Sequence, residues 1–302
     1  MYINPYEEIN DKLWLKANFH VHAGTGPNTC GVNEIDDVLL AYKDKPSGYS
    51  VISISNHDLL TDTSSYAKRH AMTLINGYEF TEPGPHMICI GTDKVVLDSH
   101  QTAIEDCKAH GGFTVLCHPN WRFKEYWPHN KIDELSGFAG IEIINGIVFR
   151  NPGSELATDT WDYILNSGRA VWGFGNDDFH IWRDIARCWN LINCENNPEA
   201  VINAIKHCRF YVSTGLILGD FSFLNGKLRL SAHGFETYVN ENLYTFIGDN
   251  GKILAEQYGD HGEYNLVGSE SYVRVRVLSD YGSMLWTQPV YDDNKLKAEV
   301  QQ

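Results

Sequence analysis

The chain has 302 residues, 43% of them apolar and 21% charged, with a formal net charge of -15: an ordinary globular composition whose acidity argues against a nucleic-acid backbone as a long-range electrostatic partner. A small anionic substrate is not excluded, because bound cations can supply a local positive field. No apolar run approaches the ~20 residues of a membrane span, Met1-Tyr2-Ile3-Asn4-Pro5 has no signal-peptide pattern, and seven cysteines without a Cys-x-x-Cys pair predict free thiols in a reducing cytoplasm.

The first apolar run, residues 14–21, reads as a buried strand ending in His20-Val21-His22. Residues two apart on a strand share a side, so both imidazoles can meet one borderline ion such as zinc, manganese or iron. A lone His-x-His is a weak signal; the weight lies in its repetition. Ile35, Val38, Leu39 and Tyr42 have helical spacing. Residues 49–55 then alternate as a strand that stops at Asn56-His57-Asp58. A helix near 62–72 leads to a strand carrying Glu79, where a buried carboxylate is costly unless paired or metal-bound. A return through Pro85-His86 into residues 87–90 brings His86 back toward Glu79. Next come a helix over 99–110 and a strand over 113–117 that runs into His118-Pro119-Asn120. A strand at 141–145, a helix over 154–166 and a strand at 170–175 ending in Asn176-Asp177-Asp178-Phe179-His180 complete the alternation.

That alternation predicts an α/β fold of roughly seven parallel strands with helices outside, the chemistry gathered at the C-terminal strand ends. There fall His20, His22, His57, Glu79, His118, Asp178 and His180. After a last helix at 198–208, short alternating runs separated by turn pairs such as Asn225-Gly226 and Asn250-Gly251 predict a small antiparallel β-sandwich-like domain over 216–302, behind a metal-binding domain over 1–215. That second part has no cluster resembling a site and reads as scaffold, lid or the surface of a homo-oligomer.

Assembled in order, His20-x-His22, Asn56-His57-Asp58, Gly77-Tyr78-Glu79-Phe80-Thr81, His86, His118-Pro119 and Asp178-Phe179-His180 resemble the PHP superfamily, named for polymerase and histidinol phosphatase. Residues 209–215, 272–275 and 286–289 resemble its branch with a trailing β domain. The resemblance implies a distorted (β/α)7 barrel holding two or three divalent ions (zinc, manganese or iron). His20, His22, Glu79 and Asp178 would hold the first ion, and Glu79 would bridge to a second on His86 and His118. His57 and His180 would hold a third, normally with an Asp or His from the loop after the first pair. Loop 23–30 has neither, so the third site is weak or empty, or Asn28, Cys30, a water or the substrate completes it.

Glu79, Asp178 and His180 are the catalytic candidates, since two cations sharing a carboxylate clamp the oxygens of an in-line displacement. Arg183, Arg122 and Asn120 are the substrate-binding candidates, although surface ion pairing would occupy the arginines equally well. Asn145 is a further substrate candidate, and Asp58 a partner for a ligand imidazole. Trp121, Trp127 and Trp182 read as an aromatic wall or as packing, and His70, His110 and His207 as surface residues of helices. The alternative, that the eight ligand candidates are satisfied core and capping groups, fits poorly with so many polar groups at buried positions. The expected activity is hydrolysis of a small phosphate ester by a metal-bound hydroxide. Hydrolysis of another ester or a carbamate, and a non-catalytic metal- or ligand-binding module, are the alternatives.

Overall fold

The computed structural model describes residues 1–10, 13–27, 29–44, 46–122, 126–234 and 241–299; Asn28, a candidate for the third site, lies outside them. Strands take 37% of the residues and helices 21%, in several sheets, none of them closed. This corrects the expected (β/α)7 barrel. The strand-then-helix order holds only in pieces, because several connections cannot carry a parallel crossover, which needs a dozen or more residues. Only residues 81–86 join Gly77–Phe80 to Met87–Ile90, and the two strands pair antiparallel. Met87–Ile90 is antiparallel to Phe113–Leu116 as well, and Trp189–Asn193 to Trp14–Val21. The six α-helices found among the described residues are short, from five residues (His129–Asp133) to ten (His100–Ala109).

Besides the two-residue pair of Arg169–Ala170 with Lys297–Ala298, parallel pairing survives in two places. Trp14–Val21, Val51–Ile54 and Thr73–Leu74 form one parallel group, and Phe113–Leu116, Gly140–Asn145 and Trp172–Asn176 form the other. The second group belongs to a five-stranded sheet that Gly77–Phe80 and Met87–Ile90 complete. The first sits at one end of an eleven-stranded sheet that continues through Trp189–Asn193, Phe210–Ser213 and Met284–Thr287 into Tyr272–Ser279, Val290–Asp292 and Tyr2–Ile3. Of the antiparallel strands after residue 216, then, many extend the sheet that carries His20, while Ile217–Leu224, Lys227–His233 and His261–Asn265 form a three-stranded sheet of their own. Asn225 and Gly226 join its first two strands, with φ of 53° and 77°, the pair of left-handed conformations a two-residue hairpin requires.

The two large sheets meet at the ends of their parallel strands. Val21 bridges to Phe179 and His57 to Glu79, each in parallel. The backbone N–H of His22 donates to Phe179 O at 2.9 Å, and that of Glu79 to Asn56 O at 3.0 Å. Segments distant in sequence therefore deliver their polar termini to one buried place. No helix among the described residues is long and apolar enough to cross a membrane.

Candidate metal centre

All eight predicted ligands lie in one cluster. His20 and His22, on the last turn of the pleat of Trp14–Val21 and just beyond it, are fully buried with ring centroids 5.1 Å apart. His20 Nε2 is 3.3 Å from both Glu79 Oε1 and Asp178 Oδ1. His22 Nε2 is 3.4 Å from Glu79 Oε2 and 3.2 Å from Asp178 Oδ1. Yet His20 Nε2, His22 Nε2, Glu79 Oε2 and Asp178 Oδ1 are all buried without a hydrogen-bond partner. Buried polar atoms are rarely left so, and four of them facing one small space are not aimed at each other. An arrangement of imidazole and carboxylate atoms like this could hold a metal ion.

Glu79 is the hub. Its Oε1 is 2.9 Å from His86 Nδ1 and 3.4 Å from His118 Nε2, while Oε2 is 2.9 Å from His57 Nε2 without hydrogen-bond alignment. Three overlapping groups follow, each with ligand atoms within 4.8 Å of one another: His20, His22 and Asp178; His57, Glu79 and His86; and, with a cysteine, His20, Glu79, Cys117 and His118. A fourth joins His22, His57 and His180 to Cys30, whose Sγ is 2.9 Å from His22 Nδ1. The strand Trp172–Asn176 stops before Asp178 and His180. Asp178 instead takes a left-handed φ of 52°, and His180 Nδ1 still lies 3.4 Å from its Oδ1.

Electrostatics bind the cluster together. Burial opposes the charge on Glu79, but His20, His118 and His57 hold its pKa well below the ordinary carboxylate value. Asp178 is likewise depressed against its own burial, by His20, His22 and His180. Burial pulls His20 down, yet Asp178 and Glu79 hold it well above the usual imidazole value: the negative cluster that favours a cation retains a proton equally well. Burial raises the Cys30 thiol, whereas hydrogen bonds with His180, His22 and His57 bring it down to about 3.

One residue that holds the ligands was missed from sequence. Glu142, fully buried on Gly140–Asn145, accepts from His20 Nδ1 at 2.8 Å, His118 N at 2.8 Å, Asn145 Nδ2 at 2.7 Å and Asn176 Nδ2 at 3.0 Å. By accepting a hydrogen bond from Nδ1–H it directs Nε2 of His20 into the cluster. The available signal was a carboxylate inside the apolar run Ile141-Glu142-Ile143-Ile144.

The supporting residues are placed as follows. Asn145 donates to Glu142 and, at 3.4 Å, to Asp178 Oδ2. Among the described residues Asp58 bonds no imidazole; it accepts from Thr81 N at 2.8 Å and from the Thr81 hydroxyl, and its own N–H donates to Glu79 O at 2.7 Å, so it pins the strand end that presents Glu79. Asn120 donates to Leu156 O and Asp159 Oδ1 at 2.9 and 3.0 Å. Arg183 is exposed, and Arg122 stacks on Trp121 at 4.1 Å. Among the described residues neither guanidinium bonds to the cluster. Trp121 and Tyr126 lie 4.9 and 5.4 Å from the His118 ring, buried Trp127 donates to His86 O at 3.0 Å, and Trp182 is half exposed. His110 and His207 are exposed as expected, but His70 is buried, with Nε2 2.6 Å from Asp36 Oδ1. No family model matches the chain, and no curated protein matches it.

Proposed function

We propose that this chain is a metal-dependent hydrolase of the PHP type, and that its substrate is a small phosphate ester. The observation that carries the reading is the convergence of four buried, unpartnered atoms, on His20, His22, Glu79 and Asp178, within one pocket. A buried cluster of this composition is costly in water-free surroundings unless cations compensate it. His20, His22, Glu79 and Asp178 would hold one ion, and Glu79, His86 and His118 a second, so that Glu79 is shared. Divalent ions held there supply Lewis acidity toward an ester oxygen and lower the pKa of water.

The remaining residues bound and orient. Glu142 sets the His20 ring, Asp58 sets the end of the Glu79 strand, and Trp121 and Tyr126 wall the side next to His86 and His118. The cluster opens where His57 and His180 stand, with side chains 36% and 21% exposed. Cations held by these residues would supply the local positive field for an anionic ester that the chain's net charge of -15 does not.

The test is turnover of p-nitrophenyl phosphate by chelator-stripped protein reloaded with manganese or zinc. Phosphate release by the wild type, lost by several orders of magnitude in His20→Ala with its circular dichroism unchanged, supports the reading. Turnover of p-nitrophenyl acetate alone would replace phosphate with a carboxylic ester. Bound metal with no turnover of either ester would make the chain a binding module.

A further inference from the structure

The strand that delivers His20 to the metal cluster carries a lysine at its other end. Trp14 and Lys16, two apart on Trp14–Val21, share a face. Lys16 stands opposite Leu191 in the antiparallel ladder with Trp189–Asn193, so Leu191 and Trp189 lie on that side as well. With Leu216 and Ile217 they line a cavity of about 650 Å³, and residues 46–48 and Ser50 complete the lining. None of the eight metal-ligand candidates belongs to it. Lys16 precedes His20 by four residues, roughly 13 Å of extended strand.

Lys16 is the one charged residue of that lining. Its ammonium lies 3.4 Å from the ring centroid of Trp189 and 4.3 Å from that of Tyr49, faces that attract a cation. Among the described residues it meets no carboxylate and no hydrogen-bond acceptor. Aromatic faces leave its three N–H donors unmatched, and a desolvated charge without a counterion is costly. Burial accordingly pulls its pKa down to about 8, against the opposing pull of Asp177. The walls are apolar and held in place: Trp14 packs edge-on against Tyr211, with ring centroids 4.9 Å apart. A cavity of this size, with apolar walls and few polar groups, is the usual form of a small-molecule site. Here the charged group is a cation, so the complementary ligand is an anion. We propose that this cavity binds a small monocarboxylate with an apolar body, its carboxylate on the Lys16 ammonium and its body against Trp14, Trp189 and Leu191. The site is separate from the metal cluster and does not depend on the hydrolase reading.

The test is calorimetric titration of the full chain with 2-naphthoate and with octanoate, each compared with its neutral amide, before and after treatment with a chelator. At least one carboxylate should bind at about one equivalent per chain, and about tenfold more tightly than its amide, the worth of one charge-assisted hydrogen bond. Chelation should leave that preference in place. In Lys16→Met, which keeps an unbranched apolar stem without the charge, carboxylate and amide should bind alike. The comparison of carboxylate with amide is made on the wild type, so it holds even where the variant fails to fold. Binding of neither carboxylate, equal binding of carboxylate and amide by the wild type, a preference that survives in Lys16→Met, or binding that chelation abolishes overturns this inference. Each of these outcomes leaves the hydrolase reading intact.

Discussion

Glu142 has no contact with solvent and four hydrogen-bond donors around its two oxygens. It reaches two predicted ligands at once, through the His20 ring and the His118 backbone. In Glu142→Gln one oxygen becomes an NH2 that faces donors, so either the His20 ring or the His118 backbone loses its anchor. Outer partners of this kind are typically worth 10–100-fold in metal affinity, and that loss is expected in a chelator-competition titration. An affinity equal to wild type would mean that Glu142 only packs. The backbone carries a related mark: Asp58, His118 and Asp178 adopt left-handed φ values of 49°, 33° and 52°. Such conformations cost on the order of 1–3 kcal/mol each outside glycine, and all three occur at strand ends in or beside the cluster.

Among the elements, the strand Tyr272–Ser279 departs most instructively from its pattern. Simple alternation places Arg274 and Arg276 on a solvent face, yet Arg274 is buried. It pairs with Asp162 of helix Thr158–Asn166, Nε to Oδ1 at 2.9 Å and Nη2 to Oδ2 at 2.6 Å, and Tyr272 donates to the same carboxylate at 2.9 Å. Gln288 makes a second tie, accepting from Gly173 N at 2.9 Å and donating to Gly173 O at 2.7 Å. Breaking a buried pair from one side strands the remaining charge, at about 3–5 kcal/mol. Arg274→Ala should therefore lower the unfolding free energy by that amount in a denaturant titration. A loss below ~1 kcal/mol is the value for a solvated pair and would show that water reaches Asp162.

At the scale of the whole molecule, the strand that ends in the two central histidines shares its sheet with the last strands of the chain. Phe210–Ser213 pairs with Met284–Thr287, Tyr2–Ile3 with Val290–Asp292, and Arg169–Ala170 with Lys297–Ala298. A fragment of residues 1–215 would expose the hydrogen-bonding edge of Phe210–Ser213 and uncover Trp172, which is fully buried beside Tyr291. Exposed edges of this kind aggregate. The fragment should be insoluble or lack cooperative unfolding, checked by expression and thermal denaturation. A monomeric, cooperatively melting fragment that retains metal would make residue 215 a true domain boundary.

What the sequence determined by itself was local. Strand ends, the parity of His20 and His22, the hairpin at Asn225-Gly226 and the identity of the polar residues closing each apolar run are legible because side-chain period and turn chemistry act over a few residues. The barrel was misjudged because strand order and direction depend on which distant edge each strand meets, and a strand–helix alternation is compatible with several pairings. Glu142 escaped notice for the same reason: its value lies in four donors drawn from His20, His118, Asn145 and Asn176. Only the tertiary structure could decide that Cys30, eight residues beyond His22 in an irregular loop, would turn its sulfur toward three imidazoles, since no periodicity constrains a loop and only packing against its neighbours aims its side chains.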